Sequence, residues 1–195
     1  DGFISTFTIS SDGTSIVEVD TLEHDDDHGQ FNSLVHVDSN TYALAYTGDN
    51  FFGYISTFTI DSAGAITPIL IQDHTNHASA SANLEHDDNQ GKFNSLVQVD
   101  SNTYALAYSG NESDGFISTF TIDSNGAITP ILIQYHAVKG GSANLEHDEI
   151  QGIHNSLVQV DSDTYALAYT SSGTAADMAT SADPAGRPSM IKVKN

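Results

Sequence analysis

The sequence predicts an all-β fold made of repeated four-stranded units, and three observations predict it. The chain repeats itself: "NSLVHVDSNTYALAY" at 32–46 returns as "NSLVQVDSNTYALAY" at 94–108 and "NSLVQVDSDTYALAY" at 155–169, spacings of 62 and 61 residues. Apolar side chains alternate with period two, with Tyr104, Leu106 and Tyr108 on one face and Ala105 and Ala107 on the other. Each apolar run is bounded by Asp, Asn, Ser and Gly, the residues of hairpin turns. A four-stranded unit returning every ~40 to 60 residues marks a β-propeller blade, whereas a β-solenoid repeats nearer to ~20 residues with one or two strands per turn.

The elements follow in order if the strands of a blade are lettered a to d from "SLVQV". Residues 2–19, "GFISTFTISSDGTSIVEV", form a c–d half-blade. Two complete a–b–c–d blades follow at 32–72 and 94–134, where "GYISTFTIDSAGAITPILIQ" and "GFISTFTIDSNGAITPILIQ" supply the c–d halves. An a–b half-blade at 155–169 ends the repeats, so residues 1–170 form one repeat domain. These make three blade equivalents, too few to close a ring that typically needs about four to eight blades. An open strand edge also invites pairing, so two chains exchanging half-blades into a six-bladed homodimer is the expected assembly. A fragment of a longer propeller is the other explanation of the ends. Residues 171–195 hold both methionines and three of the five basic residues, a composition shift that points to a flexible tail or appended sequence.

The chain has 26 acidic against 5 basic residues, a formal charge of −21. Such a field repels phosphate, which argues against nucleic acid and anionic membrane as partners and favours cations. There is no cysteine, which excludes disulfides and cysteine-based metal or nucleophile chemistry.

The chemistry-bearing motif is Glu-His-Asp, written three times as "LEHDDDHGQFNS", "LEHDDNQGKFNS" and "LEHDEIQGIHNS". It stands nine residues before the Asn that opens strand a in every copy, as in Glu23 to Asn32, Glu85 to Asn94 and Glu146 to Asn155. If strand a is innermost, the three motifs converge on the mouth of a central channel as a ring of ligands. His24, His86 and His147, with Glu23, Glu85 and Glu146, are the candidate metal ligands, and Asp25, Asp87 and Asp148 the candidate catalytic bases. Imidazole with carboxylate suits zinc, manganese or a similar divalent ion, with calcium as the alternative. The competing explanation is structural, since repeated residues serve repeated packing and Asp caps turns.

Departures from the repeat are the better guide to function, because symmetry requires only what is shared. His28 replaces Gln90 and Gln151 and lies beside Asp26 and Asp27, which makes it the most ligand-like addition. His36, mid-strand, reads as a buried and satisfied histidine, and His154, in place of Phe31 and Phe93, as a packing residue. His74, His77 and His136 lie in the loops between strand d and the next strand a. The "DSAG" and "DSNG" segments resemble pieces of calcium loops but occupy hairpin positions, so turn is the better reading.

The repeat "NSLVxVDSxTYALAY … DGFISTFTIDxxGAITPI", covering residues 2–169, resembles the repeats of secreted β-propeller proteins of uncertain role, which implies a secreted or extracellular location. In architecture alone, a six-bladed ring with a metal at its mouth is similar to calcium-dependent lactonases and phosphotriesterases. Their ligands are mainly Asn, Asp and Glu, and the histidines here depart from that pattern. Two functions are therefore expected in competition. One is a metal-dependent hydrolase of phosphoester, lactone or ester substrates; the other is a noncatalytic propeller binding a glycan or a protein surface, on which Tyr42, Tyr104 and Tyr165 could stack if strand burial did not claim them.

Overall fold

The computed structural model describes residues 1–69, 82–131, 144–172 and, for the backbone alone, 191–192. The loop histidines His74, His77 and His136 and most of the tail lie outside these residues. The described chain is all-β, in antiparallel sheets compatible with the blades of a propeller.

An N-terminal pair is formed by β1 (Gly2–Ile9) and β2 (Ile16–Asp25). The first full sheet follows, from β3 (Gln30–Asp38), β4 (Thr41–Thr47), β5 (Gly53–Ile60), β6 (Ile66–Pro68) and β7 (Asn83–Asp87). The second full sheet repeats it with β8 (Lys92–Asp100), β9 (Thr103–Ser109), β10 (Gly115–Ile122), β11 (Ile128–Pro130) and β12 (Asn144–Asp148). A C-terminal pair of β13 (Ile153–Asp161) and β14 (Thr164–Thr170) ends the repeats, with β15 (Ile191–Lys192) beside β14 in parallel.

The hairpins form where turn chemistry dictates. In the second full sheet Asp123 Oδ1 accepts the N–H groups of Asn125 and Ala127, both at 2.9 Å, and Gly126 takes φ +81°. This turn, like its counterpart around Asp61 and Gly64, spends its carboxylate on backbone donors, as the hairpin reading expects.

Each full sheet has five strands in four positions. β6 and β7 pair in succession with the same edge of β5, β6 with Phe58–Ile60 and β7 with Gly53–Ser56. β11 and β12 share the edge of β10 in the same way. The N-terminal pair shows the undivided form, in which β2 runs unbroken from Ile16 through Glu23 and His24 to Asp25 against β1. Glu-His-Asp is therefore the end of a fourth-position strand, and the expected lead-in to strand a is corrected: the motif hydrogen-bonds backward, to the strand it follows.

Large faces pack on small ones. Tyr104, Leu106, Tyr108, Phe116 and Phe120 of the second full sheet form one core with Val37, Ala43, Ala45 and Ile55 of the first. Ala105 and Ala107 on the opposite face receive Leu157 and Leu167 of the C-terminal pair. The period-two pattern thus alternates bulky and small layers, which lets neighbouring sheets interdigitate at native density. The same junction is stitched by polar bonds: Ser33 Oγ accepts the Leu96 N–H at 2.9 Å, and Ser95 Oγ accepts the Leu157 N–H at 2.8 Å.

Candidate functional site

Each histidine of the repeated motif occupies its own junction between two sheets. His24 lies edge-on to Tyr46 with ring centroids 4.7 Å apart, His86 meets Tyr108 at 4.7 Å, and His147 meets Tyr169 at 4.6 Å. Behind each ring is a glycine of the histidine's own sheet. A Cβ on Gly2, Gly53 or Gly115 would lie 2.6, 2.3 or 2.2 Å from the imidazole Cε1 of His24, His86 or His147. The same glycines touch a second glycine, Gly29, Gly91 or Gly152, backbone to backbone. Glycine is required at both places because no side chain fits the gap.

The carboxylates of the motif divide in role. Asp25 Oδ1 accepts the N–H groups of Asp27 at 3.0 Å and His28 at 2.8 Å. Asp87 Oδ1 does the same for Asn89 and Gln90, and Asp148 Oδ1 for Ile150 and Gln151, each at 2.9 Å. These are turn caps that lead the chain from one sheet into the next. Burial pushes the Asp148 carboxyl up, but the N–H groups of Gln151 and Ile150, together with Ser171 and His147, outweigh it and hold the group below its usual value. Glu23, Glu85 and Glu146 stand across from Phe3, Tyr54 and Phe116 in the ladder. Burial first and then the Glu85 carboxylate push the Tyr54 hydroxyl well above its ordinary range.

At the first junction a cleft of about 290 Å³ is lined by Glu23, His24, Asp25, Tyr46, Ser56 and Asn83 among others. Burial lowers the His24 pKa against the opposing pull of Asp25, so the imidazole is neutral near pH 7.

Among the described residues, the fold also gathers a ligand set beside this motif. Asp27, His28 and Asp49 present one donor atom each within 4.8 Å of one another, a group that can hold a metal ion. Asp27 and His28 follow the Asp25-capped turn, with Asp27 Oδ2 3.4 Å from His28 Nδ1. Asp49 comes from the 3₁₀ turn Asp49–Phe51 that joins β4 to β5, where Asn50 has φ 54° and donates its own N–H to Asp49 Oδ1 at 2.7 Å. Phe51 of that turn braces the imidazole, its ring 5.1 Å from His28 and edge-on to it.

His28 was legible as a repeat-breaking residue, with Asp26 and Asp27 beside it; that Asp27 itself departs from the repeat was missed, and so was Asp49. The signal for it was present, since Asn111 stands at the corresponding position of the next copy. The other departures have structural places. His36 is exposed, not buried as expected, because it stands at the hairpin end of β3, with Nε2 3.2 Å from the Ser39 carbonyl. His154 continues a row of rings, Phe31 to Phe93 and Phe93 to His154, each at 4.4 Å.

No protein-family model matches the chain, and no curated protein matches it either.

Proposed function

We propose that this chain is a cation-binding protein of propeller-type architecture, and that Asp27, His28 and Asp49 hold the ion. The observation that carries the reading is a coincidence of three departures from symmetry in one place. Where the first junction has Asp27, His28 and Asp49, the next has Asn89, Gln90 and Asn111. A repeat needs none of the three changes to fold, as the second copy demonstrates, yet all three bring donor atoms within 4.8 Å of one another. One imidazole and two carboxylates suit zinc, manganese or a related divalent ion better than calcium, which takes oxygen ligands alone. The charge of −21 raises the local cation concentration around any such site.

An ion on three side chains at an exposed turn keeps positions for water, and a bound ion lowers the pKa of that water toward neutrality. This is the requirement of the hydrolytic reading, in which the same residues serve a phosphoester, lactone or ester. A binding module needs only the ion and the rim.

Calorimetric titration with Zn²⁺ and Mn²⁺ tests the assignment, using the residues of the second copy as replacements that the fold already tolerates. One equivalent should bind per chain, and His28→Gln or Asp49→Asn should weaken binding at least ~10-fold, while His36→Gln leaves it unchanged. Undiminished binding in His28→Gln would overturn the assignment. Turnover of nitrophenyl esters and phosphoesters that vanishes in His28→Gln selects the hydrolase; metal binding without turnover selects the binding module.

A further inference from the structure

We infer that Lys92 is the anion-binding partner of the ion held by Asp27, His28 and Asp49, and that the two together take the phosphoryl group of a small phosphate monoester or diester. The inference rests on the assignment of an ion to those three residues and names the substrate class. Of a phosphoester, a lactone and a carboxylic ester, only the first carries the negative charge that an ammonium group meets.

The lysine reaches the site through one aromatic ring. Lys92 opens β8, in the sheet that follows the turn carrying Asp49. Its Nζ stands over the face of Phe51, 4.4 Å from the ring centroid, and Phe51 is the ring that meets the His28 imidazole edge-on at 5.1 Å. The ammonium therefore lies about 10 Å or less from the imidazole, no more than a Debye length at 0.1 M. Backbone holds the arrangement, since the Gly91 N–H donates to the Phe51 carbonyl at 3.0 Å and ties the turn to the residue just before Lys92.

The next junction shows what this backbone does without those side chains. There the Gly152 N–H donates to the Ser113 carbonyl at 2.8 Å, and Glu112 and Ser113 take φ 55° and 74°, as Asn50 and Phe51 take 54° and 65°. On the same scaffold the side chains differ as a set. Asp27, His28, Asp49, Phe51 and Lys92 of the first junction stand where the second has Asn89, Gln90, Asn111, Ser113 and Ile153. Sheet packing requires neither the ring nor the lysine, because the second junction forms with serine and isoleucine in their places. Both occur where the ligand set occurs.

The ammonium is also uncommitted. Lys92 is the one lysine or arginine among the described side chains of a chain with 26 acidic residues, yet no carboxylate among the described residues lies within ion-pair distance of it. A cation seated on a π face keeps its N–H donors for a ligand. Charge explains why one is needed. Asp27 and Asp49 cancel a divalent ion, and the Asp25 carboxylate that caps the turn tips the balance to negative. Lys92 offsets that charge, which lets an oxyanion approach an ion that would otherwise be screened by acids.

Calorimetric titration of the Mn²⁺-loaded chain with phenyl phosphate tests the inference. One equivalent should bind, and Lys92→Gln, which places at this position the residue that the first copy has at Gln30, should weaken it at least ~10-fold. Lys92→Arg keeps the charge and the seat on the ring and should stay within about threefold of the parent. Mn²⁺ titrated alone should bind Lys92→Gln no more weakly than the parent, because the variant removes a positive charge from beside the ion. Failure of the parent to bind Mn²⁺ would overturn the ion assignment and this inference with it. Mn²⁺ binding with no uptake of phenyl phosphate, equal uptake by Lys92→Gln, or uptake as tight without Mn²⁺ would overturn this inference and leave the ion assignment standing.

Discussion

At the scale of the residue, the repeated histidine is best understood through what surrounds it: a glycine behind, a tyrosine ahead and a carboxylate beside it that is occupied with turn N–H groups. A flat, neutral ring fills that slot, and a charged one must shed water to do so. For His24 the sign of the pH effect follows. Its pKa in the fold is lowered from 6.5 by burial, so below that value the unfolded chain binds more protons than the folded one. The stability it contributes is complete above pH 6.5 and is lost progressively as the pH falls beneath it. Asp148 acts in the same sense in a lower window, below its ordinary 3.8. Melting followed by circular dichroism should show the melting temperature falling from pH 7 to about 5, and falling less steeply in His24→Gln; an equal slope would remove His24 as a source. The outer members of the motif were readable as a pattern in the sequence, but their roles were not. Glu-His-Asp reads equally as ligand or as packing until the glycines and tyrosines from other strands are placed against it.

At the scale of the element, the strands and hairpins were legible because period-two patterning and turn residues act locally. The fourth position of each sheet was not, because sequence inserted between Pro68 and Asn83, and between Pro130 and Asn144, divides one strand position into β6 with β7 and β11 with β12. Only the N-terminal pair preserves the undivided strand, and its shorter sequence makes it look like the exception. Asp49 was hidden for a related reason, since it reaches Asp27 and His28 from a turn about twenty residues away along the chain. The seams between sheets were legible in composition, large against small, but not in their hydrogen bonds. Ser95 accepts the Leu157 N–H across one seam, and removing that acceptor leaves a backbone donor unpaired. Ser95→Ala should cost about 1 kcal/mol in chemical denaturation, with the loss confined to midpoint rather than slope.

At the scale of the molecule, the chain is a row of sheets in which cores form between sequence neighbours, and its charge is spread along that row. Self-repulsion among 26 carboxylates opposes compaction, and salt screens it over a Debye length of ~10 Å at 0.1 M. Raising sodium chloride from ~0.02 to ~0.3 M should therefore raise the melting temperature by a few degrees in the parent chain; a fall would show that favourable ion pairs outweigh the repulsion. The divided fourth strand has a consequence for how such a chain can change over time. β6 leaves the edge of β5 and β7 returns to it in the same register that β12 takes on β10, although the sequences between Pro68 and Asn83 and between Pro130 and Asn144 differ by one residue in length. Each full repeat thus closes its ladder around a different intervening sequence, and two repeats nearly identical elsewhere have diverged at that one place.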